Sequence, residues 1–372
     1  MSADDSKCIV VVTGSRAEFG LLRPVIRAME SRSELDVRVV VTGLHCLASI
    51  NTRQEVERDV AIAASFPMQI EGESGRLADV QALARGIDGM ATVLRELQPD
   101  LVMVLGDRIE ALAGATAASI GGVHVAHLHG GDRAEGVADD SVRHAISKLA
   151  HLHFAASNES YDRLIAMGEH ERTVVKAGSP ALEELHDMPA LDDATWRDVG
   201  APDIVLLLHP VGDDDDHEHA RAALILESCR EHGTTIVLAP NRDPGHAGIQ
   251  RAYADANVDV IEHLPRATFI GVLRRARMLV GNSSAGIIEA SALPIRVINI
   301  GSRQEGRERH ANITDVRDVS AMTISAALKA AMSAPANAVE SPFFEGHAGE
   351  RIAATLATLS MSDIPIRKRN RY

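Results

Sequence analysis

The chain has 372 residues, 45% of them hydrophobic, three cysteines and a formal net charge of −14 at pH 7. That length predicts two domains with substantial cores, and the charge excludes bulk binding to nucleic acid or an anionic membrane surface, though not a small anion held by local arginines and backbone amides. No apolar run has membrane-spanning length, "MSADDSKCIVVVTG" lacks a signal-peptide layout, and Cys8, Cys46 and Cys229 have neither disulfide-framework nor zinc-knuckle spacing, so a reducing cytoplasm is the expected setting.

In chain order, "CIVVVTG" reads as a buried parallel strand ending at Gly14, "EFGLLRPVIRAMESR" as a helix and "DVRVVVTG" as the second strand. The amphipathic "VQALARGIDGMATVLRELQ" is a helix halted by Pro99. Strand "DLVMVLGD", helix "RIEALAGATAASIG", strand "VHVAHLHGG", helix "SVRHAISKLA", strand "HLHFAAS", helix "NESYDRLIAMGE" and strand "RTVVKAG" follow. The alternation restarts after the connection "PALEELHDMPALDDATW": strand "DIVLLLHP", helix "HEHARAALILESCREHG", strands "TTIVLAP" and "VDVIEHL", helix "PRATFIGVLRRA", strand "RMLVGNS", helix "AGIIEASAL" and strand "IRVINIG". This pattern predicts an α/β protein with two doubly wound parallel sheets, residues 1–182 and 183–349, and a final helix within 350–372 that crosses back to the first domain. The basic tail "IRKRNRY" reads as a solvated end. Ligands in such sheets sit beyond the carboxyl ends of the strands, and two facing domains would form a cleft there.

The chemistry-bearing stretches fall at those strand ends. In "TGSRAEFG", Arg16 lies at a helix start, where free N–H groups attract anions, and Glu18 follows it; no GxGxxG dinucleotide fingerprint is present. "VLGDR" sets Asp107 at the mouth of an apolar strand, as an acid or base for chemistry or as a helix cap. "LHGGDRAEGVADDSVRH" supplies His129, Asp132, Glu135, Asp139, Asp140, Arg143 and His144, with Gly130 and Gly131 allowing close backbone approach to a substrate. Asp139 or Asp140 is expected to cap the helix that follows. In "VGNSSAGIIEA", Ser283 and Ser284 fit a diphosphate cradle and Glu289 a ribose, as well as a simple helix cap. His209, Asn241 and the arginines Arg303, Arg307 and Arg309 sit at neighbouring strand ends. "GDDDDHEHA" reads as a solvated loop and helix start, so no metal site is expected.

The strings "TGSRAEFG", "GDRIEALA", "HLHGGDRAEGVADDSVRHAISKLAHLHF", "LHPVG" and "GNSSAGIIEA…NIGSRQEGRE" resemble the hydrolysing UDP-N-acetylglucosamine 2-epimerase family, with motif order kept from about residue 8 to about residue 316. The resemblance implies a GT-B-like fold of two Rossmann-like domains and a UDP-sugar substrate held mainly by the second. It implies a cofactor-free reaction, UDP-GlcNAc and water giving N-acetylmannosamine and UDP through a glycal, of the kind that feeds sialic-acid synthesis. A modified 2,4-diacetamido sugar is an alternative substrate, and a GT-B glycosyltransferase an alternative activity. Asp107, His129, Asp132 and Asp139 are implied in catalysis, and Arg16, Glu18, His209, Asn241, Ser283, Ser284, Glu289 and Arg303 in substrate binding. His129 stands where some members carry Glu in "HIEGGE". The resemblance also implies a homo-oligomer, dimer or tetramer.

Overall fold

A computed structural model describes residues 6–50, 52–133, 139–183, 185, 187–333, 341–343, 346–369 and 371, the side chain of Asp139 excepted. The chain divides into two compact units, the first formed by Met1–Asp132, Ala138–Glu183 and Gly346–Tyr372, the second built on Glu184–Glu345.

The first unit runs β1 (Lys7–Thr13), α1 (Arg16–Glu30), β2 (Leu35–Val41), α2 (Arg53–Asp59), β3 (Ile62–Ser65), α3 (Arg76–Leu97), β4 (Leu101–Leu105), α4 (Ile109–Ile120), β5 (His124–Leu128), α5 (Asp139–Leu149), β6 (Leu152–Ala155), α6 (Asn158–Ala166) and β7 (Val174–Lys176). Its seven strands are parallel, in the order β3-β2-β1-β4-β5-β6-β7. The strand order reverses between β1 and β4, so the switch point lies beyond Thr13 and Leu105. β1 and β4 have side chains buried on both faces, Ile9 and Val11 joining one core and Val10 and Val12 the other. That is why both strands read as continuous apolar runs.

The second unit runs α7 (Asp193–Asp198), β8 (Ile204–Leu207), α8 (Asp215–Arg230), β9 (Thr235–Leu238), α9 (His246–Asp255), β10 (Val260–Ile261), α10 (Arg266–Leu273), β11 (Met278–Gly281), α11 (Ser284–Ile287), β12 (Arg296–Ile300), β13 (Ile313–Val316) and α12 (Ala321–Ser333). Its parallel order is β10-β9-β8-β11-β12-β13, with the switch point between β8 and β11. The helix expected over "AGIIEASAL" is one turn only. α11 stops at Ile287 and a short 3₁₀ turn, Ala290–Ala292, follows, so Glu289 stands at the entry of that turn and not inside a helix. Ile288 forms the C-cap, its amide donating to the Ser284 carbonyl. β3 and β13, edge strands with mostly part-exposed residues, carry too little apolar pattern to stand out in the sequence, and α9 was likewise not anticipated.

α13 (Ala348–Thr358) belongs to the first unit. Its Ile352, Ala353 and Leu356 share a core with Leu22, Val25 and Ile26 of α1, and Lys7 Nζ donates to the carbonyls of Leu356 and Ala357 at 2.7 and 2.8 Å. The basic tail is largely exposed, as expected, with Arg367, Arg369 and Arg371 at the surface, but one of its cations is engaged. Lys368 Nζ donates to the carbonyls of Ser147, Lys148 and Ala150 at the C-terminal end of α5 and pairs with buried Glu169 at 2.6 Å. A cation at a helix C-terminus satisfies carbonyls that have no partner within the helix. His124 and His151 donate from Nε2 to the carbonyls of Ile364 and Ile366, fastening the rest of the segment.

Candidate active site

At the switch point of the first unit, Ser15 caps α1 and its Oγ accepts from the Glu18 amide, while Glu18 Oε2 accepts from the Gly14 amide at 2.6 Å. This reciprocal pattern closes the helix start. Glu18 is buried, and burial together with the charge of Glu110 pushes its carboxyl up to about 8. Burial also pushes buried Glu110 upward, but the Arg108 cation and the Gln69 amide outweigh it and leave that carboxyl lowered. The pair therefore holds one proton and one charge. Arg16, expected to face an anion, is engaged with Glu55 of α2 through Nε at 2.8 Å and through Nη2.

Asp107 follows β4 by two residues. It does not cap α4, whose N-cap is Arg108. Its Oδ2 accepts instead from Nη2 of Arg143, a buried side chain on α5 that also reaches the His129 carbonyl at 3.5 Å. Asp107 and the residues after β5 are thus bridged by a guanidinium. His127, fully buried in β5, donates from Nε2 to the Gly106 carbonyl at 2.7 Å and lies 3.1 Å from Ser147 Oγ; burial holds its ring neutral, down to about 3.

His129 and Asp132, expected to act directly on a substrate, are both buried and engaged with protein. His129 Nδ1 lies 2.8 Å from Asp132 Oδ2 and its Nε2 3.0 Å from Ser179 Oγ. The other Asp132 oxygen accepts from Ser160 Oγ at 2.7 Å. Both ring nitrogens of His129 are thus engaged by protein groups. Gly131 (φ 78°) is required by packing: a Cβ there would lie 2.3 Å from the Ser160 carbonyl.

Asp140, one of the two expected caps of α5, lies within the helix and does not cap it. Asp140 pairs with His144 one turn on, at 3.6 Å. The side chain of Asp139, and Glu135 altogether, fall outside the described residues.

The second unit builds a different switch point. Gly281 (φ 142°) ends β11 so close to β8 that a Cβ would lie 1.9 Å from the Leu207 carbonyl. Asn282 then ties the strand ends together: its Oδ1 accepts from the His209 amide at 2.7 Å and its Nδ2 donates to the His209 carbonyl at 2.8 Å. His209 Nδ1 accepts from the Asn241 amide at 3.0 Å, so the ring is the Nε2–H tautomer and donates to Ser283 Oγ at 3.2 Å. The surrounding protein and the nearby Arg303 cation hold that ring neutral, down to about 3. Ser283 caps α11, its Oγ accepting from the Ala285 amide, and Ser284 opens the helix. Arg303 and Gln304 both donate to the Asn282 carbonyl, at 3.3 and 3.0 Å. Glu289 pairs with Arg266 at 3.5 Å. Arg309 turns away to Asp315, at 2.9 Å. The acidic "GDDDDHEHA" has a structural use: Asp214 caps α8 and pairs with His217, and His219 pairs with Asp255.

Asn282, Ser160, Ser179 and Gln304 were missed as constituents. Ser179 carried a faint signal, a serine before proline at a strand end, which is the pattern of a cap followed by the first residue of a turn of helix.

Comparison with known proteins places the chain. Residues 27–357 match the family described as UDP-N-acetylglucosamine 2-epimerase. The UDP-N,N'-diacetylbacillosamine 2-epimerase (hydrolyzing) of Legionella pneumophila is 35% identical over 98% of this chain and 99% of its own length. The UDP-N-acetylglucosamine 2-epimerase of Neisseria meningitidis is 32% identical over 81% of each. In fold, the chain is similar to the Methanocaldococcus jannaschii UDP-GlcNAc 2-epimerase in complex with UDP-GlcNAc and UDP, with a TM-score of 0.79 at 19% identity, covering 94% of this chain and 99% of the other. Two Rossmann-like units of this kind are a GT-B-like architecture. The chain belongs to the UDP-N-acetylglucosamine 2-epimerase family. It is an enzyme of the nucleotide-sugar 2-epimerase type.

Proposed function

We propose that this enzyme is a hydrolysing 2-epimerase that converts a UDP-2-acetamido sugar and water into the free C2 epimer and UDP. UDP-GlcNAc, giving N-acetylmannosamine, is the reference substrate. The observation that carries the chemistry is Asp107 at the mouth of β4, part-exposed and held by buried Arg143. A carboxylate so held is aimed and cannot collapse into the loop. In this reading it handles a proton at sugar C2 while the C1–O bond to UDP breaks, forming a glycal. Water then adds at C1 and a proton returns to C2 from the opposite face. Positioned acid–base groups supply about 10²–10⁴-fold each. Asp139 is proposed as the second acid.

The β8–β11 switch point supports the nucleotide role. Ser283 Oγ already accepts from His209 and from the Ala285 amide, so its own O–H is left to donate. Ser284, Asn241 and Arg303 stand at the same strand ends, and Glu289 is proposed for the ribose hydroxyls. Arg16 is proposed to exchange Glu55 for substrate phosphate, and Glu18 to support that turn from behind as a buried carboxyl.

A diacetylated 6-deoxy sugar is a second reading, favoured by the near-complete coverage of the Legionella relative named for that substrate. A cytoplasmic setting fits the three free cysteines, and homo-oligomerisation is proposed with it. Incubation with UDP-GlcNAc or UDP-N,N'-diacetylbacillosamine in D2O, read by NMR, tests the proposal. Release of UDP with deuterium at C2 of a free sugar is expected. Retention of UDP on the epimer overturns the hydrolytic step, and transfer to an acceptor without deuterium marks a glycosyltransferase.

A further inference from the structure

Ser179, the residue before the short turn Pro180–Leu182, has no counterpart among the groups assigned above, yet it completes a buried chain of hydrogen bonds that runs toward Asp107. Its hydroxyl accepts from the Ala181 amide at 3.2 Å and lies 3.0 Å from His129 Nε2. On the other side of the ring, Asp132 is an acceptor for Nδ1 at 2.8 Å, and its second oxygen is occupied by Ser160. A carboxylate can only accept, so Asp132 places a proton on Nδ1, and the Ser179 hydroxyl holds the other nitrogen. Ser179, His129 and Asp132 are each at most 5% exposed, so this Ser–His–Asp line has no open nucleophile and serves to hold.

What it holds is the backbone. His129 has φ 59°, the left-handed region that side chains rarely occupy, and its carbonyl is where Arg143 Nη1 makes its contact. Pinning the ring at both nitrogens keeps the carbonyl turned toward Arg143, and Arg143 presents its other nitrogen to Asp107. We infer that Ser179 is a positioning residue that acts through the doubly anchored His129 and Arg143 to aim the Asp107 carboxylate. This deepens the proposed function and rests on it for the role of Asp107, but the anchoring itself is testable without turnover.

Nitrogen-15 NMR of histidine-labelled full-length protein, assigned with H129Q, reads the tautomer directly. The wild-type chain is expected to show His129 protonated at Nδ1; an Nε2–H ring overturns the inference whatever the enzyme's activity. In S179A the Nε2 resonance should move, kcat should fall about 10- to 100-fold, the cost of a small misplacement of a reacting group, and KM and UDP affinity should stay within twofold. S179T, which keeps both the hydroxyl and the cap, should restore the resonance and most of kcat. If S179A folds and keeps wild-type kcat, or if KM rises in its place, the positioning role is wrong. If S179A does not fold, D132N supplies the same comparison from the Nδ1 side. Absence of turnover in the wild type, with the Nδ1–H tautomer present, would count against the proposed reaction and not against the anchoring.

Discussion

The two switch points use opposite chemistry on the same scaffold. Beyond β1 and β4 the first unit gathers carboxylates, Glu18, Glu110 and Asp107, and controls each with a proton, an amide or an arginine. Beyond β8 and β11 the second unit gathers neutral donors and a cation, with His209 kept uncharged and Asn282 locking the strand ends. In the proposed reading the first set handles protons and the second holds the diphosphate, with Glu289 kept for the ribose hydroxyls. Topology sets where each site lies, and the side chains at the strand ends set what each does.

The sharpest attack on that contrast is Asp107→Asn. It should cut turnover about 10³-fold, within the range for a lost acid–base group, while UDP binding measured by calorimetry stays nearly intact. A full-rate variant would remove the catalytic half of the comparison. Gly281→Ala strikes the other half, since its Cβ would fall 1.9 Å from the Leu207 carbonyl. A loss of roughly 3 kcal/mol in stability is expected from overpacking and backbone strain, seen as an earlier melt together with lost UDP binding. Ser284→Ala combined with Glu289→Ala should weaken UDP about 10- to 100-fold, the scale of one or two hydrogen bonds to charged groups, with kcat at saturation largely kept. A kcat loss at unchanged affinity would blur the division of labour.

The smallest effect concerns Glu18. Its folded carboxyl lies near 8, above the ordinary value of 4.5, so the native state keeps a proton that the unfolded chain gives up. Stability from this group is complete below about pH 4.5 and falls as pH rises toward 8. Glu18→Gln mimics the protonated form. It should flatten that slope in thermal melts between pH 5 and 8 and raise Tm at pH 8 by about 2–4 °C per kcal/mol recovered. An unchanged slope would mean that the pair does not share a proton.

The central strands were legible because they are buried on both faces and therefore apolar throughout. β3 and β13 were not, because an edge strand buries little and its residues stay mixed. Candidate site residues were legible as strand-end punctuation. Their partners were not: Asp107 looks equally like a helix cap until Arg143, 36 residues away, is seen to face it. The tail shows the same limit, since "IRKRNRY" has the composition of a solvated end and only the uncovered carbonyls of α5 give Lys368 its place.

Periodicity, strand-end motifs and the order of those motifs are properties of neighbours along the chain, and they determined two parallel-sheet units, the 2-epimerase family and the list of candidate groups. Whether Glu18 is charged depends on Glu110 of α4, and what aims Asp107 depends on Arg143 of α5, groups distant in sequence that meet only when these elements pack together. Hydrogen bonds and desolvation act over a few ångströms of space, so those decisions belonged to the tertiary structure.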